Sequence, residues 1–195
     1  MHPNSAFRRA SEVRNLAFAA ERGFGMLTLA GPDGPLAAHI PFLLRDGRIE
    51  AHLARSNPIL RVLDTSKAAL LAVSGPDAYV SPDWYRLEEQ VPTWNYVAVH
   101  LRGQLERRPQ AELRGHLERL SARFEADLAP KPPWLLDKLS ETAFARLARM
   151  IVPVGMTVEN VDGTWKLAQN KPDAARLSAA DALEATAAEM AALMR

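Results

Sequence analysis

The sequence predicts an α+β protein, six or seven antiparallel strands with helices at the ends. Three observations carry that prediction. The stretch Val91-Pro-Thr-Trp-Asn-Tyr-Val-Ala-Val-His-Leu-Arg-Gly103 alternates with period two past its proline, as a half-buried strand does. Gly31-Pro-Asp-Gly-Pro35, Asp46-Gly47 and Asp162-Gly163 separate short apolar runs and read as tight turns between antiparallel neighbours. From Pro109 the period becomes helical, with Leu113, Leu117, Leu120, Phe124 and Leu128 on one stripe.

Taken in order, Ser11 caps a first helix with Val13, Leu16, Ala17 and Ala20 at helical spacing, and Gly23 stops it. Phe24 to Ala30 and Leu36 to Leu44 form a hairpin. Pro41 cannot donate to a ladder, so the second strand is expected at an edge or bulged there. A third strand runs from Arg48 to Leu53. Asn57 and Pro58 are a cap and a first helical residue, which starts a short helix to about Asp64. Lys67 to Ser74 reads as a buried strand ended by Gly75-Pro76, and Tyr79 to Tyr85 as a short strand and a capped turn. In the opening stretch, Val97, Val99 and Leu101 fall on one face, and Trp94, Tyr96, His100 and Arg102 on the other. A second helix of the insertion runs from about Leu139 to Arg149, with Leu139, Ala143, Leu147 and Met150 aligned. Ile151 to Asn160 is a strand, Asp162-Gly163 its turn, and Thr164 to Leu167 the return. An alanine-rich tail places Leu183, Ala187, Met190 and Met194 on one helical face. With no repeat or long linker, residues 1–195 read as one domain, with a helical insertion at about 109–149 and a helical tail at about 172–195.

Composition narrows the function. Twenty-four basic and 23 acidic residues leave a net charge of +1, so no global field draws the chain to nucleic acid or membrane. Cysteine is absent, which excludes disulfides, thiolate metal sites and cysteine nucleophiles and fits a reducing cytoplasm. No apolar run approaches the roughly 20 residues of a membrane span, and the N-terminus lacks a signal peptide's apolar core, so a soluble, cytoplasmic protein is expected. Serine-hydrolase elbows, Walker loops, Rossmann glycines and zinc-binding helix motifs do not occur. The five histidines are scattered, none three or four residues from another, and no metal site is expected.

Three parts suit a phosphorylated, planar, hydrogen-bonding ligand. Arg55, Ser56 and Asn57 stand at a helix start, where free amides and a guanidinium favour an anion. Trp94 and Tyr96 offer rings for stacking. Lys166-Leu-Ala-Gln-Asn170 adds amides and a cation. Flavin mononucleotide (FMN) would use all three parts, but so would other phosphorylated heterocycles.

These stretches also resemble a known family. The hairpin ending His39-Ile-Pro41, His52-Leu-Ala-Arg-Ser-Asn-Pro58, Gly75-Pro-Asp-Ala-Tyr-Val-Ser-Pro-Asp-Trp-Tyr85, Val91-Pro-Thr-Trp-Asn-Tyr96 with His100, and Lys166-Leu-Ala-Gln-Asn170 are similar to the PaiB-like family of FMN-binding split-barrel proteins, commonly labelled negative transcriptional regulators. The resemblance implies a split β-barrel, a homodimer, and FMN in a cleft near the subunit interface. By motif it implies Arg55, Ser56 and Asn57 on the phosphate side and His39, Trp94, Asn95 and Tyr96 in the cleft. Lys166, Gln169 and Asn170 form the late contribution. Where the family usually has serine, this chain has Ala168. DNA as a partner rests on the resemblance alone. The alternative function is a flavin-dependent oxidoreductase acting on a small molecule in the same cleft, with His39, Tyr96 or His100 as proton donor.

Overall fold

Six strands carry the fold: β1 Phe24–Gly31, β2 Gly34–Arg45, β3 Arg48–Ala54, β4 Lys67–Val80, β5 Thr93–Arg107 and β6 Ile151–Lys166. In the computed structural model, which describes residues 1–195, they pair in the order β1-β2-β3-β6-β5-β4 and close into a barrel. Six helices flank them: α1 Glu12–Arg22, α2 Pro58–Val62, α3 Leu113–Ala126, α4 Glu141–Ala148, α5 Asp173–Leu183 and α6 Ala188–Met194. The class is the α+β one that the alternating and helical periods predict. By its contacts the chain forms two compact units. A central unit comprises Ala19–Ala72 and Leu101–Asn160, and a terminal unit comprises Met1–Phe18, Val73–His100 and Val161–Arg195.

In the central unit β1 and β2 pair antiparallel from Phe24↔Pro41 to Gly31↔Gly34, and β2 then pairs with β3 from Phe42↔Ala51. Pro41 is therefore the last residue of β2 paired with β1 before pairing with β3 begins. A missing N–H is tolerated there because β2 up to Pro41 pairs with β1 alone, which is the expected edge. Inward residues Leu27, Phe42, Ile49, Leu71, Leu101 and Met156 are buried. Each such side chain contributes about 2 kcal/mol by leaving water. Asn57 caps α2, its Oδ1 accepting from Ile59 N at 2.9 Å. At the other end of α2, Arg107 donates to the carbonyls of Leu60 and Leu63, which the helix leaves unpaired.

Helix α3 buries Leu113, His116 and Leu120. Helix α4 departs from expectation. Ser140 caps it, but Leu147 is 43% exposed and Met150 63%, and the helix buries no residue. Its apolar stripe is real in sequence and only partly covered in the chain, with Leu139 and Ala143 half-buried.

In the terminal unit two glycines read as turn signals serve close packing. A Cβ on Gly75 would lie 2.5 Å from Phe18 Cζ, and one on Gly163 would lie 2.2 Å from Asn15 Oδ1. Strand β4 accordingly continues past Gly75-Pro76, and β6 continues past Asp162-Gly163 with no hairpin. The inward residues of β4 change from odd positions up to Val73 to even ones from Ala78. Helix α1 is also rotated from its predicted face. Val13 is 77% exposed and Asn15 is buried, because Asn15 accepts a hydrogen bond from Trp165 Nε1 at 2.8 Å. The tail is two helices rather than one. Leu183, Met190 and Met194 do share a buried cluster, with Val80 and Tyr85.

Candidate functional site

The Arg55-Ser56-Asn57 turn follows β3 because Asn57 is extended, at φ −62° and ψ 130°, and Pro58 starts the helix. The helix has only five residues, and its cap already occupies the amide of Ile59. Little dipole remains for an anion. Arg55 donates from Nε to Arg149 O at 2.5 Å and from Nη2 to Ile151 O at 3.3 Å. That leaves Arg55 Nη1 and the exposed Ser56 hydroxyl without a hydrogen bond inside the chain. One guanidinium edge and one hydroxyl fit a phosphate oxygen pair.

His39 lies on β2 opposite Met26 and is exposed. Its ring stacks loosely on Phe24, centroids 6.4 Å apart and planes 20° off parallel. With Phe24 at 53% and Met26 at 36% exposure, this outer face of β1 and β2 is bare, uncharged and largely apolar.

The remaining predicted residues sit in the terminal unit and do not act alike. Trp94 is 55% exposed and meets Tyr79 edge to face at 6.1 Å, which leaves an indole face free. Tyr96 shares its side of β5 and is half-buried. Asn95 points the other way, as the period of two requires, and is fully buried. Its Nδ2 donates to Met194 Sδ at 3.3 Å, and its Oδ1 has no partner. Lys166 donates to Thr93 Oγ1, and burial holds its ammonium below the usual lysine value. Gln169 is spent on the backbone: its Nε2 donates to Trp165 O at 2.5 Å, and its Oε1 accepts from Leu167 N at 2.7 Å. Asn170 is exposed and unbonded. Ala168 stands at φ 61° with its methyl buried in the tail's apolar cluster.

Sequence reasoning missed one polar constellation. His52 Nδ1 and His116 Nε2 are 3.1 Å apart, His116 Nδ1 is 3.8 Å from Glu50, and Arg119 holds Glu50 at 2.6 Å. Burial pushes His116 down to about 4, helped by His52 beside it. Burial lowers His52 as well. The signal was present: His116 stands three residues after Leu113 and four before Leu120, on the buried stripe of α3.

The donor set fits FMN. In the central unit a free guanidinium edge and a hydroxyl have the chemistry for its phosphate, and in the terminal unit an open indole face and the polar groups of Lys166 and Asn170 have the chemistry for its ring. Comparison with known proteins agrees. Residues 1–160 match the family described as "Putative FMN-binding domain". "Protease synthase and sporulation protein PAI 2" of Bacillus subtilis is 34% identical over 166 residues, 83% of this chain and 78% of that protein. An uncharacterized protein of Saccharomyces cerevisiae is 33% identical over 99 residues, 44% of this chain and 59% of that one. Among solved structures, the flavocytochrome Anf3 from Azotobacter vinelandii has a TM-score of 0.63 at 14% identity, covering 85% of this chain and 72% of its own. The FAD and heme binding protein from Mycobacterium smegmatis has a TM-score of 0.60 at 17% identity, covering 82% and 73%. These likenesses show a shared fold. No helix of the chain is long and apolar enough to cross a membrane. The sequence match over most of its length makes this chain a member of the PaiB-like FMN-binding split-barrel family, whose cofactor is FMN.

Proposed function

We propose that the chain is a homodimeric FMN-dependent regulator that represses transcription. The observation carrying the cofactor half is the pair of unspent groups at Arg55 Nη1 and Ser56 Oγ, which hold the phosphate. Trp94 and Tyr96 flank the ring, and Lys166 and Asn170 supply polar contacts. Bound FMN supplies a redox-sensitive ring, and the protein's part is to orient it and restrict water around it.

The dimer half is supported by the bare outer face of β1 and β2. Phe24, Met26, Thr28, Ala37 and His39 carry no carboxylate, lysine or arginine, and homodimer interfaces are likewise depleted of charge at their centre. A second copy would pair this face with itself about a twofold axis. The regulatory half is supported by the family and by the Bacillus subtilis relative, whose name links it to protease synthase and sporulation.

An absorbance spectrum with a native mass tests cofactor and dimer together. Yellow flavin bands and twice the chain mass are expected, and a colourless monomer that takes up no FMN overturns both. Ser56→Ala should weaken FMN about tenfold, one hydrogen bond to a charged group. Salt-sensitive retention of promoter DNA supports regulation. Turnover of NAD(P)H by the flavin-loaded protein without DNA retention would move the reading to an oxidoreductase.

A further inference from the structure

In the terminal unit a cavity of about 650 Å³ opens beside the start of α1, within the range of small-molecule sites. Phe7, Trp165 and Met194 line it, each almost fully buried, and give it an apolar floor. Trp165 is held firmly. Its Nε1 donates to buried Asn15 at 2.8 Å, and Phe18 meets its ring edge-on at 5.2 Å.

Three arginines stand on the wall. Arg176 is neutralised, donating to Asp173 at 3.0 Å and to the carbonyls of Met194 and Arg195. Arg14 lies over the Trp165 ring, its guanidinium carbon 4.1 Å from the centroid, and forms no ion pair. Stacking fixes the plane of that guanidinium and leaves its N–H edges free. Arg9, exposed on the same wall, is not paired either. Both guanidiniums are exposed and keep donors turned to solvent at the cavity, and a flat anion would meet the charge and the floor together.

We propose that this cavity, lined by Arg9, Arg14 and Trp165, binds a small flat organic anion, its carboxylate or phosphate gripped by the guanidiniums and its body lying against the apolar floor. The cavity includes neither Arg55 nor Ser56, the residues assigned to the flavin phosphate, but Asn170, assigned to the flavin's polar edge, is on its lining, so the probes are tested against FMN as well.

Titration calorimetry of the full chain with salicylate and with AMP tests it, since the two probes share flatness and charge and differ in head group. Saturable binding of at least one is expected, and the stronger of the two identifies the head group. Uncharged benzyl alcohol and adenosine should give no comparable heat. Arg9→Gln and Arg14→Gln should each weaken the probe by about tenfold, a charged hydrogen bond apiece. Arg14→Lys, which keeps the charge but not the planar fork, should fall between. Circular dichroism and the flavin absorbance of the same samples report separately on folding and on FMN. No binding of either probe overturns the proposal, and so does undiminished affinity in Arg9→Gln and Arg14→Gln. Displacement of the probe by one equivalent of FMN would assign the cavity to the flavin and overturn it as a separate site.

Discussion

Two outward faces of the central unit are built from the same kind of strand and meet different fates. On β3, Glu50 and His52 alternate with buried Ile49, Ala51 and Leu53, and α3 lies over them. On β1 and β2, Phe24, Met26 and His39 alternate with buried Leu27, Ala38 and Ile40, and nothing in the chain covers them. Covering turns a histidine into a desolvated, neutral packing element, because burial penalises its charged form. The uncovered histidine stays exposed on a bare face. The inserted segment between β5 and β6 thus decides which face is structural and which remains available to a ligand or a second copy.

The contrast is sharpest in stability. His116→Ala should cost about 3 kcal/mol, a buried side chain lost and its partner His52 left unsatisfied, whereas His39→Ala should change the stability of a single chain by less than about 0.5 kcal/mol. Urea titration measures both. Equal costs would break the distinction between covered and bare faces.

Next in size is association. Met26→Glu buries a charge at the centre of the proposed twofold face and should weaken the dimer by about 2 kcal/mol or more while leaving the fold intact. Sedimentation at several concentrations reads it, and an unchanged dimer would place the interface elsewhere.

Acid should act on the covered face alone. His116 is held at about 4 in the folded chain, against an ordinary histidine value near 6.5. The unfolded chain therefore binds the proton first. Stability from this site is complete above about pH 6.5, erodes as pH falls, and levels off below about 4. Glu50 favours the protonated form, Arg119 and His52 oppose it, and burial outweighs them. Denaturation midpoints of wild type and His116→Gln should converge as pH drops from 7 to 4.5, by about 2 kcal/mol at most. Parallel curves would refute the assignment.

The smallest effect belongs to the exposed pair. Arg119 and Glu50 are 42% and 32% exposed, so Arg119→Ala should cost only about 0.5–1 kcal/mol in thermal unfolding.

The strands were legible because alternation and turn residues are local. Val97, Val99 and Leu101 are buried where their spacing put them, and the same spacing already set Asn95 on their side rather than beside Trp94. The exceptions came from distant partners. Gly75 and Gly163 read as turns, yet Phe18 and Asn15 are what require them to be glycine. Val13 was placed on the packed face of α1, and the pull of Trp165 on Asn15 turned it outward. The motif residues of the flavin site were named from resemblance, and their availability was not visible in the motif.

By itself the sequence determined the periodicities, the capped turn at Asn57-Pro58 and the order of motifs that marks the family. These depend on neighbours a few residues apart. Only the tertiary structure decided which polar groups are spent and which are free. Arg55 gives up two of its nitrogens to carbonyls at positions 149 and 151, Arg107 donates to the carbonyls of Leu60 and Leu63, and Arg14 is stacked on Trp165 yet unpaired. A hydrogen-bonding group is satisfied by whatever atom comes within about 3 Å of it, and in a barrel closed by long-range pairing that atom comes from far along the chain.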